Sequence, residues 1–242
     1  MLLPWLRERD PGALELMDDP DADPVALART FARFAPVNAV VSGRGAVYRR
    51  WIRPRLRARA RGSAPLRVLD VGTGGGDLPR SLLRLAARDG FALAVLAIDP
   101  DPRAIAAARA RAPMAGLELA QTTTGALAEA GERFDVVLSN HVLHHLAPRE
   151  LGAILAESER LLAPGGVVVH GDIERSPLAY AAFALGTLPF EPTLLRNTFI
   201  RADGLASIRR SHTAAELAAA APPGWGVRRA IPWRLELVRR AP

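Results

Sequence analysis

The stretch Arg67-Val-Leu-Asp-Val-Gly-Thr-Gly-Gly-Gly-Asp-Leu78 constrains this chain most. Leu66 to Val71 is an apolar run with one acid, Asp70, and reads as a buried parallel strand. Glycines follow at 72, 74, 75 and 76, and Leu78 to Ala87 then repeats its apolar residues at helical spacing. Strand, tight turn and helix in that order predict an α/β fold with a ligand at the turn. Glycine lets the backbone take φ > 0 and lets a ligand approach where a Cβ would stand.

The dinucleotide fingerprint fails at its third glycine, because Gly72-x-Gly74-x-x runs into Asp77. The pattern that fits is acid-x-Gly-x-Gly-x-Gly: Asp70, Gly72, Gly74, Gly76. A second acid, Asp99, stands at the tip of the next apolar run (Ala92 to Ile98), 23 residues past Gly76 and just before Pro100. One carboxylate there can accept hydrogen bonds from both hydroxyls of a ribose, or simply cap the helix that follows.

These residues resemble motif I and the ribose acid of the class I S-adenosylmethionine (SAM)-dependent methyltransferases. The resemblance covers about residues 64 to 240. It is reinforced by Leu-Ala-Pro-Gly-Gly166 before the fifth strand, by Phe134-Asp-Val-Val-Leu-Ser139 and by Asn140-His-Val-Leu-His-His-Leu146. With Asp77-Leu-Pro79 and the tract Asp203-Gly204 to Arg210, these look like bacterial small-molecule methyltransferases of secondary metabolism. The resemblance implies a seven-stranded, mostly parallel Rossmann-like sheet with helices on both faces and an antiparallel last strand. SAM is the implied cofactor and S-adenosylhomocysteine the product. Asp70, Gly72, Thr73, Gly74, Gly76, Asp99 and Pro100 are the expected cofactor residues, with Asn140 and His141 beside them. An acid that relatives place near 122–124 to bond adenine is missing, and Thr123 or Thr124, or backbone groups there, are the candidates to substitute.

The implied reaction is SN2 methyl transfer to a small aromatic, phenolic or polyketide-like acceptor, with oxygen favoured over carbon or nitrogen. His144 and His145 are the candidate bases, since an imidazole takes a proton near neutral pH; packing against the cofactor is the alternative. No further acid stands at ligand spacing in that segment, so no metal is expected. Asp172 ends the fifth strand, and residues 172–213 then break the core pattern. They read as an acceptor-site lid, with Asp172, Arg175, Tyr180 and Arg196 as its substrate contacts. The apolar run Leu178 to Phe190 also suits a homodimer interface.

Residues 1–62 precede the first strand and read as a helical cap, with helices over 25–34 and 37–56. Residues 63–242 are the methyltransferase domain. The last two strands are expected over 225–231 and 233–239, the latter half-exposed near an edge because Arg234, Glu236 and Arg239 alternate with leucines.

The chain has 242 residues and no cysteine, and all 32 of its basic residues are arginine. Thiolate metal sites, iron–sulfur and radical SAM chemistry, cysteine nucleophiles and lysine Schiff bases are therefore excluded. The net charge of +7 raises nucleic acid as a partner. Few of the arginines, which cluster at Arg49–Arg61, alternate with aromatics, however, and a solvated face is preferred. No apolar run is long enough to span a membrane, and the N-terminus lacks the order of a signal peptide, so the expectation is cytoplasmic. A catalytically silent SAM-binding partner is the remaining alternative.

Overall fold

The computed structural model describes residues 6–60 and 62–241. Seven strands form one sheet in the order β3-β2-β1-β4-β5-β7-β6. They are β1 (Leu66–Val71), β2 (Leu93–Asp99), β3 (Leu117–Gln121), β4 (Phe134–Asn140), β5 (Leu162–Ile173), β6 (Gly226–Ala230) and β7 (Arg234–Arg240). The first five pair in parallel, and β7 is antiparallel to both β5 and β6. The strand order reverses between β1 and β4, where ligands of open α/β sheets collect.

Alternate residues of the central strands feed two cores. Val68, Val136, Leu138, Val167 and Val169 face one layer, with Leu82, Leu83 and Ala86 of α4 (Asp77–Arg88). Leu69, Val137 and Val168 face the other, with Leu151, Ile154 and Leu155 of α7 (Pro148–Arg160). This period of two, buried on both sides, is what a central parallel strand requires. Two short helices, α5 (Pro102–Arg109) and α6 (Thr124–Glu129), complete the crossovers to β3 and β4.

The N-terminal helices divide differently from the expected 25–34 and 37–56. One helix, α1, runs Pro24–Val41 with Pro36 inside it, started by the Asp23 carboxylate accepting from Val25 N at 2.9 Å. The break falls at Gly43, where φ is +59° and an added Cβ would stand 2.7 Å from Arg234 Nε. Helix then resumes as α2 (Arg44–Val47), passes through a π turn at Tyr48–Ile52 and ends as α3 (Arg53–Ala58). Val47, Tyr48, Trp51, Ile52 and Leu56 are buried in the same core as β1, β4 and β5. Residues 44–58 therefore form a layer of the α/β domain.

The expectation for β7 needs correcting. The strand lies one in from the edge, and Arg234 and Glu236 are 2% and 1% exposed. Glu236 accepts from Trp51 Nε1 at 3.1 Å and pairs with Arg228 at 3.0 Å. Arg234 donates to the last carbonyl of α1, Val41 O, at 2.5 Å and to Asn140 Oδ1 at 2.9 Å. Alternating charge signalled exposure in the sequence, whereas the charges are buried and paired.

After β5 come α8 (Pro177–Thr187), a 3₁₀ turn at Leu188–Phe190, α9 (Ile200–Arg210) and α10 (Ala214–Ala220). The expected capping box of α10 forms, with Thr213 N donating to Glu216 at 2.7 Å and Glu216 N to Thr213 Oγ1 at 3.3 Å. Leu178, Leu185, Leu188 and Phe190 turn outward and are exposed. Among the described residues, no helix is long and apolar enough to cross a membrane.

Candidate active site

A cleft of about 450 Å³ opens at the C-terminal ends of β1, β2 and β4, roofed by α1, α8 and α9. Its floor is the glycine turn. Gly72 N and Thr73 N both donate to Ile98 O, at 2.9 and 3.0 Å, which clips the turn onto the tip of β2. Gly72, Gly74 and Gly76 have φ of +68°, +53° and +74°. At Gly72 an added Cβ would also lie 2.5 Å from Val142 Cγ2, so both the conformation and the space demand glycine.

The clip sets Asp99 beside the turn. Its Oδ2 accepts from Gly74 N at 2.9 Å and its Oδ1 from Asp101 N at 3.0 Å. Burial pushes its carboxyl above the usual range, with those two N–H donors opposing. Asp70 lies at the end of β1, 1% exposed, and its Oδ2 has no hydrogen-bond partner. Burial raises its pKa to about 7, and the Asp99 charge adds to the rise. Thr73 Oγ1 is likewise buried without a partner. The floor therefore presents a carboxylate that lacks a counter-charge, an unfilled hydroxyl and a second carboxylate at hydrogen-bonding reach. A small molecule carrying a cation and a diol fits that donor and acceptor set. Pro100 and Asn140 also line the cleft here, and His141 lies between the two walls; Gly76 shapes the turn and is not among the lining residues.

The two threonines do not join it. Thr123 caps α6, its hydroxyl accepting from Ala126 N at 3.3 Å. Thr124 is buried and donates to Glu157 on α7. Both hydroxyls serve α6, and neither residue lines the cleft. The adenine expectation is corrected for these two hydroxyls.

The opposite wall holds the histidines and is assembled from distant segments. His144 is 1% exposed, and its Nδ1 and backbone N meet the two oxygens of Asp172, at 2.8 and 2.9 Å. Its Nε2 is 3.2 Å from Glu15 Oε1, too far off line for a hydrogen bond. Burial works against the imidazolium here, but the Asp172 and Glu15 carboxylates overcome it and raise the pKa to about 9. Asp172 is held well below the usual carboxylate range: burial opposes ionisation, and the His144 charge outweighs it. His145 directs Nδ1 to Asp18 Oδ2 at 3.0 Å and Nε2 toward Glu15 Oε2 at 3.7 Å. Carboxylates therefore face both ring nitrogens of His144 and of His145, a surrounding that the expectation of a general base at either position did not include.

His141 differs. It follows β4 directly with φ +60°, uncommon for a residue other than glycine, and is pinned by its backbone N–H donating to Gly171 O at 2.9 Å. Its Nδ1 lies 3.7 Å from Asp172 Oδ1, while its Nε2 has no partner. Burial lowers its pKa, with Asp172 opposing, so the neutral ring is favoured.

The lid residues named from sequence are placed elsewhere. Asp172 is buried behind the histidines, its oxygens taken by His144 and by Ile173 N at 2.7 Å. Arg175 is buried and donates to Leu6 O, Arg7 O and Ser211 O and to both oxygens of Glu216. It anchors the N-terminal strap and cannot reach an acceptor. Arg196 is exposed, and neither it nor Tyr180 lines the cleft. The roof of the cleft is lined instead by Phe31, Phe34 and Val37 of α1, by Phe183 of α8 and by Ile200 of α9.

Sequence reasoning missed Glu15 and Asp18, which reach the site from a 3₁₀ turn at Leu16–Asp18. That turn is held by Asp203, whose oxygens accept from Leu16 N at 2.7 Å and Met17 N at 3.2 Å. Arg103 secures its far side through Met17 O and Asp19 O. No periodicity marks so short a segment. It missed His170 too, which is fully buried, stacks on Trp225 and hydrogen-bonds Ser139 Oγ at 2.8 Å. Burial lowers its pKa to about 4.

The strand order, the glycine turn at β1 and the acid at the tip of β2 are those of the Rossmann-like methyltransferase fold. Residues 68–166 match the family model described as a methyltransferase domain. The ubiquinone biosynthesis O-methyltransferase of Cereibacter sphaeroides (strain ATCC 17029 / ATH 2.4.9) is 40% identical over 123 residues, 50% of this chain and 47% of that protein. The protein of the same name from Ruegeria pomeroyi is 41% identical over 125 residues, 51% and 47% respectively. The chain thus spans about half the length of the curated relatives it matches. Among solved structures, the plantazolicin methyltransferase BpumL in complex with SAH superposes with a TM-score of 0.61 at 12% identity, covering 95% of this chain and 94% of that one. This last likeness is one of fold.

Proposed function

We propose that the protein is a SAM-dependent methyltransferase that methylates an oxygen of a small aromatic acceptor. The observation that carries this reading is the pairing of Asp70 and Asp99 across the glycine turn. When bound, SAM supplies a methyl group activated by a sulfonium, and S-adenosylhomocysteine is the product. In this reading Asp99 accepts from the ribose hydroxyls while keeping its bonds to Gly74 N and Asp101 N. Asp70 and the Thr73 hydroxyl face the charged methionine end. The O-methyltransferase names of the two curated relatives support oxygen as the acceptor atom.

His141 is the base in this reading. Asp172 faces Nδ1 and leaves the lone pair on Nε2 to accept the proton of an acceptor hydroxyl. The oxygen then attacks the methyl carbon as the carbon–sulfur bond breaks. Most of the rate comes from aligning the two reactants and excluding water, so the base adds a smaller share. Phe31, Phe34 and Phe183 offer flat apolar contact, which favours an aromatic ring.

The basic run from Arg49 gives nucleic acid little support. Arg53 pairs with Asp89 at 2.7 Å and Arg59 with Asp135 at 3.3 Å, Arg55 donates to Trp51 O, and Arg50 lies over the Trp51 ring. Arg61 lies outside the described residues. The test is incubation with SAM and a panel of phenols, catechols, quinols and aromatic acids, read by mass spectrometry. A product heavier by one methyl-for-hydrogen exchange is expected from a ring hydroxyl. SAM binding without product across the panel would overturn the small aromatic acceptor.

A further inference from the structure

Glu15, His144 and His145 meet in a way that methyl transfer does not require. His144 Nε2 stands 3.2 Å from Glu15 Oε1, and His145 Nε2 stands 3.7 Å from Glu15 Oε2. The two rings lie 4.2 Å apart between centroids, and the three ligand atoms fall within 4.8 Å of one another. Donors about 2.05 Å from a tetrahedral ion sit about 3.3 Å from each other, close to the two observed separations, which run to different oxygens of the Glu15 carboxylate.

The remaining ring nitrogens are arranged to match. His144 Nδ1 meets Asp172 at 2.8 Å and His145 Nδ1 meets Asp18 at 3.0 Å. A carboxylate behind each imidazole fixes the tautomer that points Nε2 inward, the usual support of a metal-ligating histidine. His144 Nε2 is buried without a hydrogen-bond partner. Ser207 Oγ steadies Glu15 by donating to Oε1 at 3.0 Å. Arg210 Nη1 stands 4.0 Å from Glu15 and 3.5 Å from Asp18, so it answers part of the negative charge from outside.

We propose that Glu15, His144 and His145 bind a first-row divalent cation of the zinc type, with a fourth position open to the cleft. Two imidazoles and one carboxylate select such an ion over Mg²⁺ or Ca²⁺, which take oxygen donors. All three residues line the cleft, so the open position would accept water or an oxygen of the acceptor. The ion would also tie the strap at Glu15 to the segment after β4, two regions about 130 residues apart in sequence.

The test uses the full chain after dialysis against a chelator. Zn²⁺ binding is followed by calorimetry, and Co²⁺ by its visible d–d absorption. One equivalent of each is expected, with Zn²⁺ displacing Co²⁺ and bleaching the bands. Glu15→Gln and His145→Asn should weaken binding by about 100-fold or more, and Asp18→Asn, behind a ligand, by about tenfold. His212→Asn, outside the cluster, should leave it unchanged. SAM binding and far-UV circular dichroism of each variant report that it is folded. No stoichiometric binding, or binding that survives Glu15→Gln and His145→Asn in folded protein, would overturn the site. Metal binding is read without methyl transfer, so its failure and that of the methyltransferase reading are separable.

Discussion

The two walls of the cleft are built on different principles. The cofactor wall comes from strand tips and one turn: Asp70, Gly72, Thr73 and Gly74 are near neighbours in sequence, and Asp99 ends the adjacent strand. The histidine wall gathers Glu15, His141, His144, Asp172 and Ser207, of which only two are close in the chain. The first can be read from local pattern because backbone geometry alone makes it. The second exists only when four separate segments have docked. It depends on the stability of the whole molecule, while the first depends on one turn.

Removing Asp172 should have the largest effect on stability. Asp172→Ala leaves the His144 side chain buried beside Glu15 alone and strips its backbone N–H of an acceptor. Loss of one partner from such a buried pair costs on the order of 3–5 kcal/mol. Urea unfolding should show this, while the folded fraction keeps its SAM affinity within about threefold. A loss of SAM affinity as large as that from damage at Asp99 would show that the walls are not separable.

Asp99→Ala should do the reverse. Affinity for SAM should fall by about tenfold to a hundredfold as charge-assisted hydrogen bonds are lost, with unfolding free energy changed by about 1 kcal/mol or less. A protein that binds as before would remove Asp99 from the ribose.

Asp70 gives a pH signature peculiar to the cofactor wall. Its folded pKa of about 7 is above the ordinary carboxylate value. The native state therefore holds an extra proton between about pH 4 and 7, and the contribution of this group to stability falls as pH rises through that window. A cation beside it favours the ionised form, so SAM binding should release a proton. Affinity should fall as pH drops below about 7, by up to about tenfold per unit, and Asp70→Asn should flatten the profile. Calorimetry in buffers of different ionisation enthalpy counts the proton. No release near pH 6 would place the cation away from Asp70.

The smallest effect is expected at Thr124. Thr124→Val removes the hydrogen bond to Glu157 and should cost about 1 kcal/mol of stability, read by thermal unfolding, with SAM affinity unchanged. A tenfold loss of affinity there would return this residue to the cofactor wall.

This contrast also explains what was legible in the sequence. The strand–turn–helix at Leu66–Arg88, Asp99 at a strand tip, the Thr213–Glu216 cap and the order of the strands follow from local spacing and turn chemistry. Arg175, Asp172 and Arg196 were assigned to the acceptor because polar residues in an apolar insertion suggest a ligand. Two are instead buried structural partners: Arg175 holds Leu6 and Arg7, and Asp172 holds His144. Arg196 is exposed. Which partner a polar side chain finds is set by docking, and sequence spacing carries no record of it. The histidine triplet was visible, but the carboxylates that decide the state of each ring were not. His141, His144 and His145 differ in what faces them: Asp172 with an unpartnered Nε2, Asp172 with Glu15, and Asp18 with Glu15.

The central claim is that the glycine turn and its two acids hold SAM. Calorimetric titration of SAM into the wild-type chain and Asp99→Ala at about pH 8 tests it most directly. One site on the wild type, weakened by about tenfold or more in the variant, is the predicted result. No heat of binding from the folded wild type, or the same affinity in both proteins, would contradict it.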